Sequence, residues 1–240
     1  MMIDDDNDNN NFDNRIPVLG HADGLCSIYV DEFADVQKSL RVITDAKIDY
    51  PAACNAVETL LIHSDVVQTQ LPAIAKNLVA HGVHMRADER AFSVLQSTDI
   101  ATEMYQASTP EDFDTEFLEL ILAIKVVDSL QEAIDHINIH GSHHTESIIT
   151  ENKENAELFM AKVDAAGVFW NASTRFSDGF RYGFGAEIGV STNKTHARGP
   201  VGLNGLVIYK YKIYGSGQAV SDYEAGKKSL LHSKIPIDQE

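Results

Sequence analysis

The sequence has 240 residues, 44% hydrophobic and 23% charged, so it is long and apolar enough to bury a core and is not a disordered protein. Its net charge of −17 and the absence of a basic cluster argue against nucleic acids and anionic membranes as partners. Two cysteines are too few for a disulfide scaffold, and no apolar run approaches the roughly 18 residues of a membrane span.

Residues 1–15 are predicted to be a disordered acidic tail. The first fourteen residues include five aspartates and five asparagines and no basic residue, a composition that cannot collapse onto a core. The segment also lacks the arginines and the amphipathic pattern of a mitochondrial transit peptide. It therefore does not indicate a cellular compartment.

From Ile16 onward, short apolar runs alternate with helical patterns. Ser129 is a plausible N-cap and Gly141 a stop signal for one of the helices. The β-α-β order predicts a parallel sheet covered by helices, and hence an α/β fold. Strands are predicted at 25–30, 59–63, 120–127, 147–150 and 167–171, and helices at 32–47, 71–80, 130–139 and 153–163.

A further strand is predicted after these elements, at 206–214. Val207, Tyr209 and Tyr211 alternate with lysines there, which indicates a strand with one solvated face. A single late strand needs a partner sheet, and another subunit could provide it.

Cys54 is the first candidate for a chemical role. Pro51 breaks the preceding element, and the small residues after it predict the start of a helix. A cysteine at a helix start lies near unpaired N–H groups and the positive end of the dipole, which lower a thiol pKa and favour a nucleophilic thiolate. The alternative is that Cys54 is a small buried hydrophobic residue.

Histidines 140, 143 and 144 lie close together in the sequence. A metal site is disfavoured, because zinc sites usually combine ligands from two elements and no second element offers an obvious partner. A helix-terminating loop is the preferred interpretation. His144 remains a candidate for contact with a substrate.

The segment from Gly183 to Gly189 has the spacing GxGxxxG and follows no convincing strand, so it does not qualify as a dinucleotide fingerprint. Its glycines still permit close approach of the backbone to a ligand. Arg175, Arg181 and Arg198 lie nearby in the sequence. Their convergence would bind a carboxylate or a phosphate, whereas the alternative is a set of surface ion pairs worth under about 1 kcal/mol each.

Three separated motifs, at 51–60, 127–148 and 169–179, together resemble gamma-glutamyl phosphate reductase. The resemblance covers roughly Ile16 to Gly215. The Tyr50-Pro51 form of the first motif and the tail at 221–237 are most similar to the reductase part of the eukaryotic bifunctional delta-1-pyrroline-5-carboxylate synthase. The resemblance implies the aldehyde dehydrogenase fold, which combines a cofactor domain, a catalytic domain with the cysteine and a small sheet for oligomerisation.

The resemblance also implies a division of the chain. Residues 16–50 are expected to be the last elements of the cofactor-binding domain, 51–204 the catalytic domain, 205–220 the oligomerisation strand and 221–240 a C-terminal tail. The family's proteins have a long N-terminal portion before the cysteine, so the chain is expected to correspond to the C-terminal half of a reductase. A glutamate 5-kinase domain is expected to be fused to the parent enzyme.

The activity implied by the resemblance is the NADPH-dependent reduction of L-glutamyl 5-phosphate to L-glutamate 5-semialdehyde in proline biosynthesis, through a cysteine thioester. Cys54 occupies the position of the family's nucleophile. Glu116 matches the acidic residue that holds the nicotinamide ribose, although Glu119-Leu120 departs from the usual continuation of that motif. No metal is expected. The candidate contacts to the substrate are Asn55, His144, Thr145, Asn171, Ser173, Arg175 and Arg198.

Two other functions are left open by the sequence. The chain could be a non-catalytic fragment that only folds or associates, because half a cofactor domain would expose strand edges. It could also be another acyl-phosphate or acyl-CoA reductase that uses the same cysteine chemistry. A homo-oligomer is expected through the C-terminal strand, and the family's compartment is either the mitochondrion or the cytoplasm.

Overall fold

The computed structural model describes residues 20, 23–194, 197–224 and 226–229. The predicted tail at 1–15 lies outside the described residues, as do residues 230–240 of the predicted C-terminal tail. The strands are β1 Cys26–Val30, β2 Val57–His63, β3 His84–Ala87, β4 Tyr105–Ala107, β5 Ile121–Val127, β6 Thr145–Ile149, β7 Gly167–Trp170, β8 Gly189–Ser191 and β9 Gly199–Val201. The α-helices are α1 Val36–Ile48, α2 Ser64–Ala80, α3 Glu89–Gln96, α4 Leu130–His140, α5 Lys153–Lys162 and α6 Ser221–Glu224. Short 3-10 helices cover Thr102–Met104, Pro110–Asp114, Thr174–Phe176 and Leu203–Leu206.

The centre of the fold is a seven-stranded parallel sheet with the order β4-β3-β5-β2-β1-β6-β7. Every residue of β1 and β2 is buried, as expected for central strands covered on both faces. The parallel α/β architecture expected from the sequence is therefore confirmed. In a parallel sheet all strands begin at one edge, so the segments that enter β1, β2 and β6 lie on the same side of the molecule.

Alternate residues of the central strands point into two separate hydrophobic cores. Ile28 and Leu60 pack with α1, α2 and α3 on one face, whereas Tyr29 and Leu61 pack with α4 and α5 on the other. Ser129 accepts a hydrogen bond from the Glu132 N–H at the start of α4, which is a cap worth about 1 kcal/mol. The result is a three-layer sandwich of helices, sheet and helices.

The predicted boundary at residue 51 is not a structural boundary. β1 lies between β2 and β6 in the middle of the sheet, and the chain divides into compact units only after Leu206. The residues from β1 to Leu206 therefore belong to the same unit as Cys54, because the parallel pairing of β1 with β2 joins the two sides of the predicted boundary.

The second unit begins at Val207, and its described residues form the helix α6 and otherwise irregular chain. The strand predicted at 206–214 is not formed, and Tyr209 and Tyr211 are more than 90% exposed. A strand requires a partner for its backbone hydrogen bonds, and residues 207–214 pair with none. Their role in oligomerisation stays a prediction. Among the described residues, no helix is long and apolar enough to cross a membrane.

Candidate active site

Cys54 lies in a chain of turns that leads from α1 into β2. Residues 50–56 are all described and none is helical; the Ala53 N–H donates to the Tyr50 carbonyl and the Ala56 N–H to the Ala53 carbonyl. The helix predicted to start at Cys54 is therefore wrong. The strand predicted at 59–63 is formed and already begins at Val57, where the chain pairs with β1 and β5. No helix dipole acts on the thiol from this segment.

The surroundings of Cys54 raise its pKa to about 11. Burial of the thiol is the main cause, and the negative charges of Glu187 and Glu116 add to it. The Arg175 guanidinium acts in the opposite direction. The predicted lowering of this pKa is therefore wrong, and Cys54 is a protonated thiol at neutral pH in this structure. Cationic charge near the thiol, or loss of a carboxylate charge, would favour ionisation.

A buried cysteine, Cys26, and a buried histidine, His144, lie beneath the turn of Cys54. Cys26 is completely buried, and its Sγ lies 3.3 Å from the Cys54 carbonyl oxygen and 3.7 Å from Nδ1 of His144. His144 Nδ1 is also 2.9 Å from Oγ1 of Thr145, which is equally buried. Both predicted substrate contacts, His144 and Thr145, therefore lie behind the turn and are closed to solvent.

Asn55 is buried next to Cys54 and is held on both ends of its amide. Its Nδ2 donates to the Ser177 carbonyl at 2.8 Å, and its Oδ1 accepts from Nη1 of Arg175. Arg175 Nε also lies 3.1 Å from a carboxylate oxygen of Asp49. The structure therefore brings Asn55 and Arg175 together beside Cys54, with the amide of Asn55 already bonded within the chain.

The predicted cluster of three arginines is divided between two places. Arg181 joins Arg175, since its Nη1 donates to the Arg175 carbonyl at 2.6 Å and its Nη2 lies 3.8 Å from Asp49. Arg198 instead lies 2.8 Å from a carboxylate oxygen of Asp164 and donates to the Thr192 carbonyl. Two of the three arginines therefore converge and Arg198 lies apart from them, because Asp49 and Asp164 each hold their own arginine partners.

The remaining candidate contacts hold the chain after β7. Asn171 accepts a hydrogen bond from the Thr150 N–H and donates one to the Thr150 carbonyl. Thr150 follows the carboxyl end of β6, whereas Cys54 precedes the amino end of β2. Ser173 accepts from the Arg175 N–H at 3.3 Å and caps a 3-10 helix. Asn171 is thus at the opposite edge of the sheet from Cys54. Ser173 acts on the site only through the position of Arg175.

The three histidines of the sequence cluster have separate partners. His140 lies 2.7 Å from Asp114, and His143 bonds to the Asp164 carbonyl. Within the described residues, no group of three or more His, Cys, Asp or Glu side chains could hold a metal ion. In the glycine segment, Gly183 and Gly185 have positive φ angles, and a Cβ at either position would meet no atom within 4 Å.

Glu116 lies near Cys54, on the loop that leads into β5. Its charge raises the pKa of Cys54 and that of Glu58. Glu58, four residues after Cys54, is buried and forms an ion pair with the buried Lys47. Sequence reasoning missed this pair. The available signal was a lysine on the apolar face of α1, four residues after Ile43, and an acid within the apolar run of β2.

A cavity of about 290 Å³ lies beside β3, β4 and β5 and includes His84, Arg86 and Glu119 in its lining. None of the predicted site residues lines it. The candidate active site is therefore the partly exposed residue Cys54 together with the side chains around it.

Comparison with known proteins finds relatives of one kind. It is 53% identical to a probable gamma-glutamyl phosphate reductase of Schizosaccharomyces pombe over 226 residues, and 53% identical to the gamma-glutamyl phosphate reductase of Saccharomyces cerevisiae over 235 residues. These matches cover 93% of the chain and 50% and 51% of the relatives. The chain thus spans about half the length of the curated relatives it matches. No protein-family model matches the chain.

Solved structures agree with the sequence comparison. The crystal structure of gamma-glutamyl phosphate reductase from Thermotoga maritima superposes with a TM-score of 0.80 at 45% identity, covering 85% of the chain and 48% of that protein. A probable aldehyde dehydrogenase from Listeria monocytogenes has a TM-score of 0.63 at 14% identity, over 85% of the chain and 53% of that protein, which shows the fold alone. The expected resemblance and the aldehyde dehydrogenase-like α/β fold are both confirmed.

Proposed function

From this homology to one half of the gamma-glutamyl phosphate reductases, we propose that the chain is the cysteine-bearing part of an enzyme that reduces L-glutamyl 5-phosphate to L-glutamate 5-semialdehyde and phosphate. The main support for the proposal is the sequence identity of 53% over 93% of the chain, a range that includes the turn of Cys54. NADPH is the proposed reductant.

Cys54 is the proposed nucleophile. Its sulfur attacks the acyl carbon, the new C–S bond replaces the bond from carbon to the phosphate oxygen, and phosphate leaves as a stable anion. The thiol proton must be lost first, and Arg175 assists because it is the positive charge that opposes the raised pKa. The acyl group is then held on Cys54 as a thioester.

Glu116 is the residue proposed to hold the nicotinamide ribose. A carboxylate accepts hydrogen bonds from ribose hydroxyls, and Glu116 is half-buried and close enough to Cys54 for its charge to act on the thiol. When bound, NADPH supplies the hydride that reduces the acyl group. Glu116 thus fits a role in holding the ring within reach of Cys54.

Arg175 and Arg181 are proposed to attract the anionic acyl phosphate. The two guanidinium groups converge on Asp49, and Arg181 is 40% exposed. Asn55, His144, Thr145, Asn171, Ser173 and Arg198 stay predictions as substrate contacts, and the first three are occupied by the internal bonds described above. The homo-oligomer, the fused kinase domain and the mitochondrial or cytoplasmic compartment also stay predictions.

The experiment that tests the proposal measures both binding and turnover of the 240-residue chain. Fluorescence titration with NADPH is expected to give micromolar binding, and glutamyl phosphate is expected to cause oxidation of NADPH. A folded chain that neither binds NADPH nor turns over substrate would instead be a non-catalytic part. A preference for N-acetylglutamyl phosphate or an acyl-CoA over glutamyl phosphate would assign it to another reductase.

A further inference from the structure

The buried pair of Lys47 and Glu58 calls for an explanation beyond stability. The Lys47 ammonium lies 2.7 Å from Oε2 of Glu58, and the two side chains are 0% and 1% exposed. Burial lowers the pKa of Lys47 and raises that of Glu58 to about 7, so removal from water opposes both charges. A buried ion pair of this kind is often no more stabilising than a pair of apolar residues of similar volume.

Glu58 uses its second carboxylate oxygen to hold a different segment. Oε1 accepts a hydrogen bond from the Leu118 N–H at 3.3 Å. Leu118 has a φ of 58°, a left-handed conformation that is unfavourable for a residue with a side chain. Its side chain is 44% exposed, so packing of that side chain contributes little to fixing the backbone. The bond to Glu58 is therefore the contact that fixes the loop at this residue.

The loop fixed in this way carries Glu116, two residues before Leu118. The charge of Glu116 acts on Cys54, on Glu58 and on Lys47, so the loop lies against both the buried pair and the thiol. Glu58, which binds the loop, lies on β2 directly after the turn of Cys54. The start of β2 therefore connects the thiol to the residue that fixes the loop.

We propose that Glu58, held in place by Lys47, is a positioning residue that fixes the loop 115–120 and thereby holds Glu116 beside Cys54. This inference rests on the proposed function only in giving Glu116 a cofactor to hold. The geometrical coupling between Glu58 and Glu116 is a separate property of the fold, and it is measurable without substrate or cofactor.

The test is a double-mutant cycle read out by alkylation of Cys54 with iodoacetamide between pH 7 and 10. In the wild-type background, Glu116→Gln is expected to speed alkylation several-fold at a given pH, because it removes a carboxylate charge near the thiol. In the background Lys47→Met with Glu58→Met, the same change is expected to have no effect, because the freed loop no longer holds residue 116 there. Glu187 and Arg175, which also act on Cys54, are unchanged in both backgrounds.

The double replacement is chosen because exchanging both partners of a buried pair for apolar residues of similar size usually preserves folding. Lys47→Met with Glu58→Gln is the conservative variant, because without the Lys47 ammonium the Gln amide oxygen is free to accept from the Leu118 N–H; the Glu116→Gln effect is expected to persist there. Asp99→Asn is the matched control, because it breaks an exposed pair with Lys76.

An effect of Glu116→Gln that is equal in the wild-type and Lys47→Met/Glu58→Met backgrounds would overturn the proposal, and so would its loss in Lys47→Met/Glu58→Gln. If the Lys47→Met/Glu58→Met chain does not fold, the Lys47→Met/Glu58→Gln result alone decides. If the chain is active, the double replacement is also expected to raise KM for NADPH several-fold more than kcat falls. A folded but inactive chain with intact coupling would refute the proposed function and leave the positioning role standing.

Discussion

Gly24 and Cys54 pack backbone against backbone: a Cβ on Gly24 would lie 2.1 Å from the Cys54 carbonyl oxygen and 2.6 Å from its Cα. Both partners of this contact are main chain, so neither can move aside by a side-chain rotation. Gly24 precedes β1, so its contact with Cys54 fixes the position of the Cys54 turn relative to the start of this strand.

Gly24→Ala is therefore expected to displace Cys54 and to destabilise the chain by about 1 to 3 kcal/mol, as overpacked sites do. Thermal unfolding and the alkylation rate of Cys54 measure the two effects. Gly189→Ala is the matched control, because a Cβ there meets no atom within 4 Å and the φ angle is not positive. Equal stability of the two variants would contradict the argument.

The reactivity of Cys54 is expected to follow its raised pKa. Between pH 7 and 10 the iodoacetamide rate should rise about tenfold per pH unit, because only the thiolate reacts and the pKa is about 11. Glu187→Gln should shift the profile to lower pH and Arg175→Gln to higher pH. Mass spectrometry after alkylation checks that the completely buried Cys26 stays unlabelled. A rate that levels off between about pH 9 and pH 10 would show that the pKa is ordinary.

Cys54→Ala is expected to abolish turnover, because no other described thiol reaches the surface of the site. Steady-state oxidation of NADPH with glutamyl phosphate measures the loss. Cys26→Ala serves as the control and should retain most of the activity, since its thiol is buried and burial raises its pKa well above the usual value. Activity of Cys54→Ala at a tenth of the parent level would remove the covalent mechanism.

The arginines are expected to differ in their effect on KM. Arg175→Ala and Arg181→Ala should each raise KM for the acyl phosphate, because their guanidinium groups converge on Asp49 and the charge of Arg175 acts on Cys54. Arg198→Ala should leave KM nearly unchanged and lower the melting temperature, because Arg198 binds Asp164 and the Thr192 carbonyl. A larger KM effect from Arg198→Ala than from the other two would reverse this assignment.

Glu146 is expected to make stability depend on pH. It is completely buried, its Oε2 accepts from the Ser27 N–H at 2.6 Å, and its Oε1 has no hydrogen-bond partner. Burial raises its pKa well above the usual value, so the folded state binds a proton that the unfolded state loses above about pH 4.5. The free energy of unfolding therefore falls as pH rises from there towards the folded-state pKa.

Glu146→Gln removes this ionisation and should therefore raise the free energy of unfolding at pH 8, because the unfolded variant has no proton to lose that the folded state retains. Little change is expected at pH 4. Urea unfolding at both pH values measures the difference, and the exposed Glu157→Gln is the control. A gain that is the same at pH 4 and pH 8 would rule out the ionisation as its cause.

Local patterns in the sequence were sufficient for the elements with long apolar or amphipathic runs. The run at 120–127 becomes β5, and Ser129 and Gly141 bound α4 as predicted. The short strands β3 and β4 were missed, because His84–Ala87 and Tyr105–Ala107 are only four and three residues long and become strands only through pairing with β5 and with each other.

The sequence by itself determined the resemblance to gamma-glutamyl phosphate reductases, the parallel α/β class and the presence of a cysteine in the first of the shared motifs, because these depend on residue order and periodicity. Tertiary structure alone decided the environment of Cys54. Burial, two carboxylates and one guanidinium reach the thiol from segments more than 60 residues away, so its raised pKa reflects long-range packing, which no local pattern contains. The same packing brought Lys47, Glu58 and Leu118 together, and it separated Arg198 from Arg175.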